Sequence, residues 1–199
     1  MKNIRSIIWS MVAVLLIWTG SVQSAQVLTV PTADLAGPGT LELDYLYHRG
    51  LHTVRLELGL HPNFSAGVKQ EVGGRLYATV KALLAEETAE WPGLALGGEF
   101  SSGRQDLYAV LSKQLGAPHV RGHLAWGLGR YARGMAGVTV MLNPVKVNAN
   151  VPTTSLFVAY DGQGLAGGLQ AQFSPELQAT VGLDLSGGLS AGMRYKLAF

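Results

Sequence analysis

Ser112, His123 and Asp106 are the side chains whose types could support nucleophilic catalysis. A serine hydrolase needs a base within hydrogen-bond reach of the hydroxyl and an acid that orients the base. If the stretch 115–119 forms a turn, Ser112 lies opposite Arg121 and diagonal to His123, whereas Asp106 lies nearer the far end of its strand. This spacing does not assemble a triad. We therefore predict no catalytic residues and a protein that is not an enzyme.

Two histidines and the absence of cysteine bear on metal and cofactor chemistry. His119 and His123 share one face of their segment, but the sequence places no other histidine or carboxylate beside them to complete a metal site. The chain has no cysteine, which excludes thiolate ligands and disulfides. The motif "GLGR" does not open a helix and does not fit a phosphate loop. We predict no metal and no cofactor.

A third constellation consists of charged side chains that recur at every second residue. Glu42 and Asp44, for example, alternate with Leu41, Leu43 and Tyr45. Both signs are present in similar numbers, so the charges can pair where water is excluded, whereas an unpaired charge there is costly. We predict that they form a charge network on one shared face. The candidates are Glu42, Asp44, Arg55, Glu57, Lys69, Lys81, Glu99, Arg121, His123, Asp184, Arg194 and Lys196.

The elements that position these residues are strands, because the same alternation runs through almost the whole chain after residue 40. The final segment, "LSAGMRYKLAF", places Leu189, Met193 and Phe199 on one face and Arg194 and Lys196 on the other. A strict period of two is typical of a β-strand. About twelve segments of roughly 8 to 11 residues follow this pattern, which is the length that a tilted strand needs to cross a bilayer.

The connections between the segments are of two kinds that alternate along the chain. "LHPNF", "LGAPH" and "FSPEL" contain proline, whereas "HRG", "VGGR" and "DGQG" are built around glycine. Each kind therefore belongs to one rim, and with an even strand number the proline rim and both termini face the periplasm. The sequence offers no second layer to cover the apolar face of the sheet. If the sheet closes into a barrel in a membrane, lipid covers that face and no strand edge is left unpaired. The predicted fold class is all-β, a transmembrane antiparallel up-and-down β-barrel of about twelve strands after an N-terminal signal peptide.

A secreted β-sandwich or a lipocalin-like barrel with an apolar core is the alternative fold. The charges on the polar face are shared too evenly between the signs, and have too many glycine neighbours, for an ordinary solvated surface. The lumen of a membrane barrel accounts for both features.

Residues 1–25 have the layout of a signal peptide, with Lys2 and Arg5 before an apolar run and small residues at its end. An uncleaved anchor is the competing interpretation, although the run is short for a membrane span. These residues hold two of the 15 basic side chains, which leaves 13 against 13 acidic ones and removes support for a nucleic-acid partner. We divide the rest into an extended lead-in, 26–39, and the barrel, 40–199.

The end of the chain resembles the terminal strand that the barrel-assembly machinery recognises in outer-membrane proteins. Phe199, Leu197 and Tyr195 supply the terminal aromatic residue and the alternating positions before it. Further aromatic residues are candidates for the girdles at the two membrane interfaces. These are Tyr45, Tyr47, Trp91, Trp126, Tyr131 and Tyr160.

Three consecutive segments, "WPGLALGGEF", "DLYAVLSKQLG" and "GHLAWGLGR", together with the lead-in "VLTVPTADLAGPGTLELDY", resemble the YjbH-like outer-membrane β-barrels associated with exopolysaccharide operons. The resemblance covers about a third of the chain, which is much shorter than the members of that family. It implies an outer-membrane location in a diderm bacterium, outer-membrane lipid as surroundings, and polysaccharide or export-system proteins as partners. It implies no catalytic residue.

Three functions remain open from the sequence. The first is an envelope component linked to surface or exopolysaccharide export, and the alternative is a narrow passive channel for small solutes. A lipid hydrolase of the outer membrane is less favoured. The first two differ in whether the lumen is open, or is filled by its own side chains or by residues 26–39.

Overall fold

The computed structural model describes residues 26–116, 119–143 and 151–199. The proposed signal peptide, 1–25, lies outside the described residues. The chain begins with two short strands, β1 (Gln26–Val27) and β2 (Val30–Pro31). Twelve longer strands follow: β3 (Thr40–His48), β4 (Leu51–His61), β5 (Phe64–Glu71), β6 (Leu76–Ala85), β7 (Gly93–Ser101), β8 (Arg104–Gln114), β9 (Val120–Gly127), β10 (Met135–Met141), β11 (Thr153–Tyr160), β12 (Leu165–Gln172), β13 (Leu177–Asp184) and β14 (Leu189–Ala198).

Strands β3 to β14 form one closed antiparallel barrel in which each strand pairs with its neighbours in sequence. The last strand closes on the first, with Arg194 opposite Asp44 and Lys196 opposite Glu42. The prediction of an all-β, up-and-down barrel of about twelve strands is therefore confirmed. Among the described residues, no helix is long and apolar enough to span a membrane.

The period of two explains why this sheet suits a bilayer. Leucine, valine and tryptophan side chains on the outer face are bare, as Trp126, Val181 and Leu183 illustrate. Their neighbours in sequence point inward, and His123, Thr180 and Asp184 lie on the lumen face. A ring of strands with an apolar exterior pairs its whole backbone and exposes only apolar side chains to hydrocarbon. The barrel is transmembrane.

The two kinds of turn lie at opposite ends of the barrel. The proline-containing turns at 62–63 and 173–176 share one end with the first and last residues of the barrel, Thr40 and Ala198. We call this end the terminal rim and the other end the glycine rim. Phe199 is exposed at the terminal rim, where its amide donates to the Gly39 carbonyl at 3.0 Å.

Residues 27–36 lie inside the barrel and residues 37–39 lie at the terminal rim, and we call the segment 26–39 the plug. The two short strands β1 and β2 pair as a hairpin, with Val27 opposite Val30. The side chains of Val27, Val30, Thr32 and Ala36 are fully buried. From the terminal rim the plug therefore runs into the lumen rather than away from the barrel.

Candidate functional site: the lumen and its plug

A cluster around Glu99 fills one side of the lumen. The Glu99 carboxylate accepts hydrogen bonds from Arg55 at 2.8 Å, from the Tyr131 hydroxyl at 3.2 Å and from Lys69. Arg130 lies 3.5 Å from the same carboxylate. Glu99 is only 2 % exposed, so these partners replace the water that the charge has lost. We call this arrangement the Glu99 cluster.

A second group of charges lies nearer the terminal rim, where the barrel closes. Lys196 approaches Glu42 at 2.9 Å, and Arg194 bonds to Asp44 and lies 3.9 Å from Glu42. Glu57, directly opposite Glu42 on the next strand, accepts a hydrogen bond from the Ser65 hydroxyl at 2.6 Å. Neighbouring strands thus supply partners for these charges within the wall itself, although Glu42 Oε2 has no hydrogen-bond partner among the described residues.

The other side of the lumen is apolar where the plug meets it. Val27, Leu28 and Val30 belong to one buried cluster with wall residues of β7 to β12. The wall members of that cluster on β8 to β12 are Tyr108, Val110, Ala125, Met135, Phe157, Ala159 and Ala166. Sequence reasoning missed them, because we expected only polar residues and glycine in the lumen. The signal was present, since Val110 and Phe157 occupy the inward register of their strands.

Polar contacts from three wall strands hold the middle of the plug. Arg121 holds the Asp34 carboxylate with two hydrogen bonds, of 2.7 and 2.8 Å. Lys81 donates to the Asp34 carbonyl, and the Ala33 amide donates to the Ser112 hydroxyl at 2.7 Å. Charge-assisted, two-pronged contacts of this kind are among the stronger hydrogen bonds in proteins. They fix the middle of the plug to β6, β8 and β9.

The position of Ser112 differs from our expectation. It pairs directly with His123, not with Arg121, and its hydroxyl lies 2.8 Å from His123 Nδ1. The Leu115 amide donates to the Val120 carbonyl at 2.8 Å, so the strand pairing continues past the point where we assumed the turn to begin. The hydroxyl is also occupied by the Ala33 amide. The Ser112–His123 pair therefore positions the plug.

The connection at the glycine rim between β9 and β10, residues 128–134, bends into the lumen. A 3₁₀ turn at Gly129–Tyr131 buries Tyr131, which stacks on Tyr108 with a ring separation of 4.5 Å. The expectation that Tyr131 contributes to an interfacial girdle is therefore wrong. Arg130 donates to the Thr29 carbonyl at the hairpin tip at 3.2 Å. This connection thus reaches both the Glu99 cluster and the plug.

Arg49 joins three turns at the glycine rim. It lies 3.0 Å from Asp161, in the turn after β11, and 3.0 Å from Asp184, at the end of β13. Burial opposes ionisation of Asp161, but hydrogen bonds from His48 and from the Gly164 and Gln163 amides outweigh it and hold the pKa of Asp161 well below its usual range. We call this group the Arg49 cluster.

A cavity of about 760 Å³ opens beside the plug at the terminal rim. Asp34 and Arg121 border it, together with His119, Glu87 and Gln170. Glu87 comes from the connection between β6 and β7 and lies 3.0 Å from Arg121. The ion pair that holds the plug is therefore within reach of a solute in this cavity. Among the described residues, no group of three or more histidine and acidic side chains could hold a metal ion.

The twelve residues of the predicted charge network all lie on the lumen face, but in separate groups. Arg55, Lys69 and Glu99 meet in the Glu99 cluster. Lys81 and Arg121 contact the plug, His123 contacts Ser112, and Asp184 belongs to the Arg49 cluster at the far rim. Lys196, Arg194, Asp44, Glu42 and Glu57 lie along the β14–β3–β4 seam. The proposed assembly residues Phe199, Leu197 and Tyr195 point outward at the end of β14.

Partners of these residues that the sequence analysis did not identify include Asp34, Arg49, Arg130 and Glu87. All four lie outside the twelve barrel strands, in the plug or in turns. Strand alternation predicts the direction of a side chain only within a strand, so no pattern assigned them to the lumen. For Asp34, no pattern within residues 26–39 provided a signal.

Comparison with known proteins shows the fold. No protein-family model matches the chain, and a search of curated proteins also finds no match. The structure of the KdgM porin aligns with 80 % of this chain and 99 % of its own, with 12 % sequence identity and a TM-score of 0.57. A KdgM porin in complex with disordered oligogalacturonate aligns with the same coverage, with 11 % identity and a TM-score of 0.59. These porins therefore share the barrel architecture.

Proposed function

We propose that this chain is an outer-membrane β-barrel of the cell envelope that forms a narrow channel for small polar solutes, closed at rest by its plug. The terminal rim would face the periplasm and the glycine rim the exterior. The segment 1–25 supports export, and the apolar outer face supports the membrane location. Phe199, Leu197 and Tyr195 would be read by the barrel-assembly machinery.

The observation that carries this proposal is how the plug is held. Residues 26–39 occupy the side of the lumen where the wall presents alanine, valine and methionine, and individual polar contacts, not strand pairing, tie them to the barrel. The segment forms no hydrogen-bonded ladder with any barrel strand. It can therefore leave without breaking the barrel. A barrel of twelve strands is intermediate between filled small barrels and open porins.

The cavity at the terminal rim supports the channel further. Its volume of about 760 Å³ is within the usual range for small-molecule sites. It leads from the mouth of the barrel to the ion pair between Asp34 and Arg121. The KdgM porin complex with oligogalacturonate is one case in which a barrel of this fold takes a polar solute.

A structural envelope component linked to surface polysaccharide is the second candidate function. The Glu99 cluster favours it, because buried ion pairs fill that side of the lumen with side chains of the wall and of one inward-bent turn. The resemblance to YjbH-like barrels would then extend to function, with polysaccharide or export-system proteins as partners. A hydrolase has less support, since the Ser112 hydroxyl is engaged by the plug.

Conductance of the refolded chain 26–199 in planar bilayers tests the proposal, beside a variant that lacks residues 26–36. Gly37 to Gly39 are kept in that variant because Gly39 bonds to Gly59 and Phe199 at the rim. We expect rare openings in the full chain and stable conducting steps in the deletion. Silence in both proteins, each shown to be folded by its heat-dependent mobility in gels, would contradict a channel and favour the structural role.

A further inference from the structure

We propose that Arg121 is a binding site for the carboxylate of a solute, and that the plug occupies it with its own carboxylate, Asp34. The inference deepens the proposed function, because it treats the plug as a movable segment. It names the chemistry by which a solute in the cavity would displace that segment.

The geometry at Arg121 is that of carboxylate recognition. Two guanidinium nitrogens, Nη1 and Nη2, each bond to one oxygen of Asp34, at 2.7 and 2.8 Å. The planar fork of arginine fits a carboxylate in this two-pronged way, and lysine does not reproduce it. Arg121 comes from the rigid wall, on β9, whereas Asp34 comes from the plug. The permanent half of the pair is therefore the cation.

Other charges around Arg121 would favour an anion once Asp34 leaves. Lys81 donates to the Asp34 carbonyl, so displacement of the plug frees a second cation on the same side of the lumen. The Ser112 hydroxyl and the ring of His123 would also lose the Ala33 amide as a neighbour. Glu87 is the acidic group that remains, and it contacts Nη2 at 3.0 Å. Nη2 bonds to Glu87 and to Asp34 at the same time, so a solute carboxylate can replace Asp34 on both nitrogens.

A solute can reach this site without first opening the barrel. Arg121, Asp34 and Glu87 all border the cavity of about 760 Å³ at the terminal rim. The side chain of Arg121 is 18 % exposed and that of Asp34 only 7 % exposed. A carboxylate that enters the cavity therefore meets the cation first. Asp34 competes with it as a tethered group, at an effective concentration on the order of millimolar.

Asp34→Ala tests the site by chemical rescue, because it removes the tethered carboxylate and leaves Arg121 free to bind acetate. We expect acetate to bind this variant at least about tenfold more tightly than the wild type, in which the tethered carboxylate competes. The readout is the urea midpoint of the refolded full chain at constant ionic strength. Acetamide, which has the same shape without charge, should have no effect.

The double variant Asp34→Ala/Arg121→Gln and the single variant Glu90→Gln are the controls. The first lacks the proposed site and should lose the response to acetate. The second removes an acidic group from the same mouth, yet Glu90 has no contact with Arg121, and it should behave as the wild type. An equal response to acetate and acetamide, or a response that survives in the double variant, would overturn the proposal.

Conductance separates the failure of this site from the failure of the channel. Asp34→Ala and Arg121→Gln both break the ion pair, so both should open more often if the plug closes a channel. Only Asp34→Ala leaves the cation in place, and its reversal potential in a salt gradient should shift toward anion selectivity. If Asp34→Ala and Arg121→Gln both conduct but show the same anion selectivity, the anion site is overturned and the channel is not. Acetate rescue in a protein that never conducts would overturn the channel alone.

Discussion

The two sides of the lumen are built from the same alternation but are filled in different ways. Around Glu99, on β7, long side chains cross the lumen and meet, so that Arg55 of β4 reaches a strand three positions away in the barrel. On β9 and β11 the inward residues Ala125 and Ala159 are short. They leave space into which Val27 and Val30 of the plug pack. One side is therefore closed by the wall, and the other by a segment that can be removed.

Glu99→Ala should have the largest effect, and only on stability. It removes the anion shared by Arg55, Lys69 and Arg130, and leaves these cations buried without it. Breaking a buried pair of this kind costs about 3 to 5 kcal/mol of the free energy of unfolding. Urea unfolding in detergent or lipid measures the loss.

Glu90→Ala is the matched control, because Glu90 is exposed and lies outside the cluster. A surface substitution of this kind changes stability by no more than about 0.5 kcal/mol. Equal losses for Glu99→Ala and Glu90→Ala would mean that the Glu99 cluster does not hold its side of the barrel together.

Gly59→Ala should have the next largest effect and displace the plug where it passes the terminal rim. A Cβ at Gly59 would overlap the carbonyl oxygens of Gly37 and Ala36, because the plug crosses this strand backbone to backbone. We expect the conducting fraction in planar bilayers to rise at least about tenfold, with a stability cost of about 1 to 3 kcal/mol from overpacking.

Gly137→Ala is the control for this comparison. Gly137 also faces the plug, but a Cβ there would lie 3.7 Å from Val27 and Val30, which is ordinary contact. Its conductance should match that of the wild type. If both alanine variants opened alike, or neither did, the close approach at Gly59 would not control closure.

Asp161→Asn should give the smallest effect, seen in the pH dependence of stability. The pKa of Asp161 is lowered in the folded protein, so its ionised form stabilises the fold above the ordinary carboxyl pKa of about 4, and this contribution is lost as pH falls toward the lowered value. Between about pH 5 and about pH 2 the wild type should lose more stability than the variant. Parallel pH profiles of the two proteins would show that ionised Asp161, and with it the Arg49 cluster, does not stabilise the fold.

Most of the barrel could be predicted from the sequence, because side-chain direction in a strand depends on position alone. The inward register of Glu42, Lys69 and Arg194 follows directly from the alternation around them. The partners of these residues could not be predicted, since a pairing such as Arg55 with Glu99 depends on which strands face each other across the lumen. Closure of the barrel decides which strands face each other and how far apart they lie.

The plug was the least predictable part of the site. Its sequence suggests an extended segment rich in small residues, and nothing local to residues 26–39 states that it enters the barrel. The signal lay in the wall instead, in the apolar residues Val110 and Phe157 at inward positions. A lumen that carries apolar side chains needs something apolar to cover them.

The rate at which a water-soluble thiol reagent modifies Ala125→Cys tests the central claim most directly. The chain has no natural cysteine, and Ala125 is fully buried in the cluster that contains the plug hairpin. In the full chain we expect protection of at least about a hundredfold relative to the variant that also lacks residues 26–36, since reaction requires local opening. Equal rates in the two proteins would contradict a plug seated in the lumen.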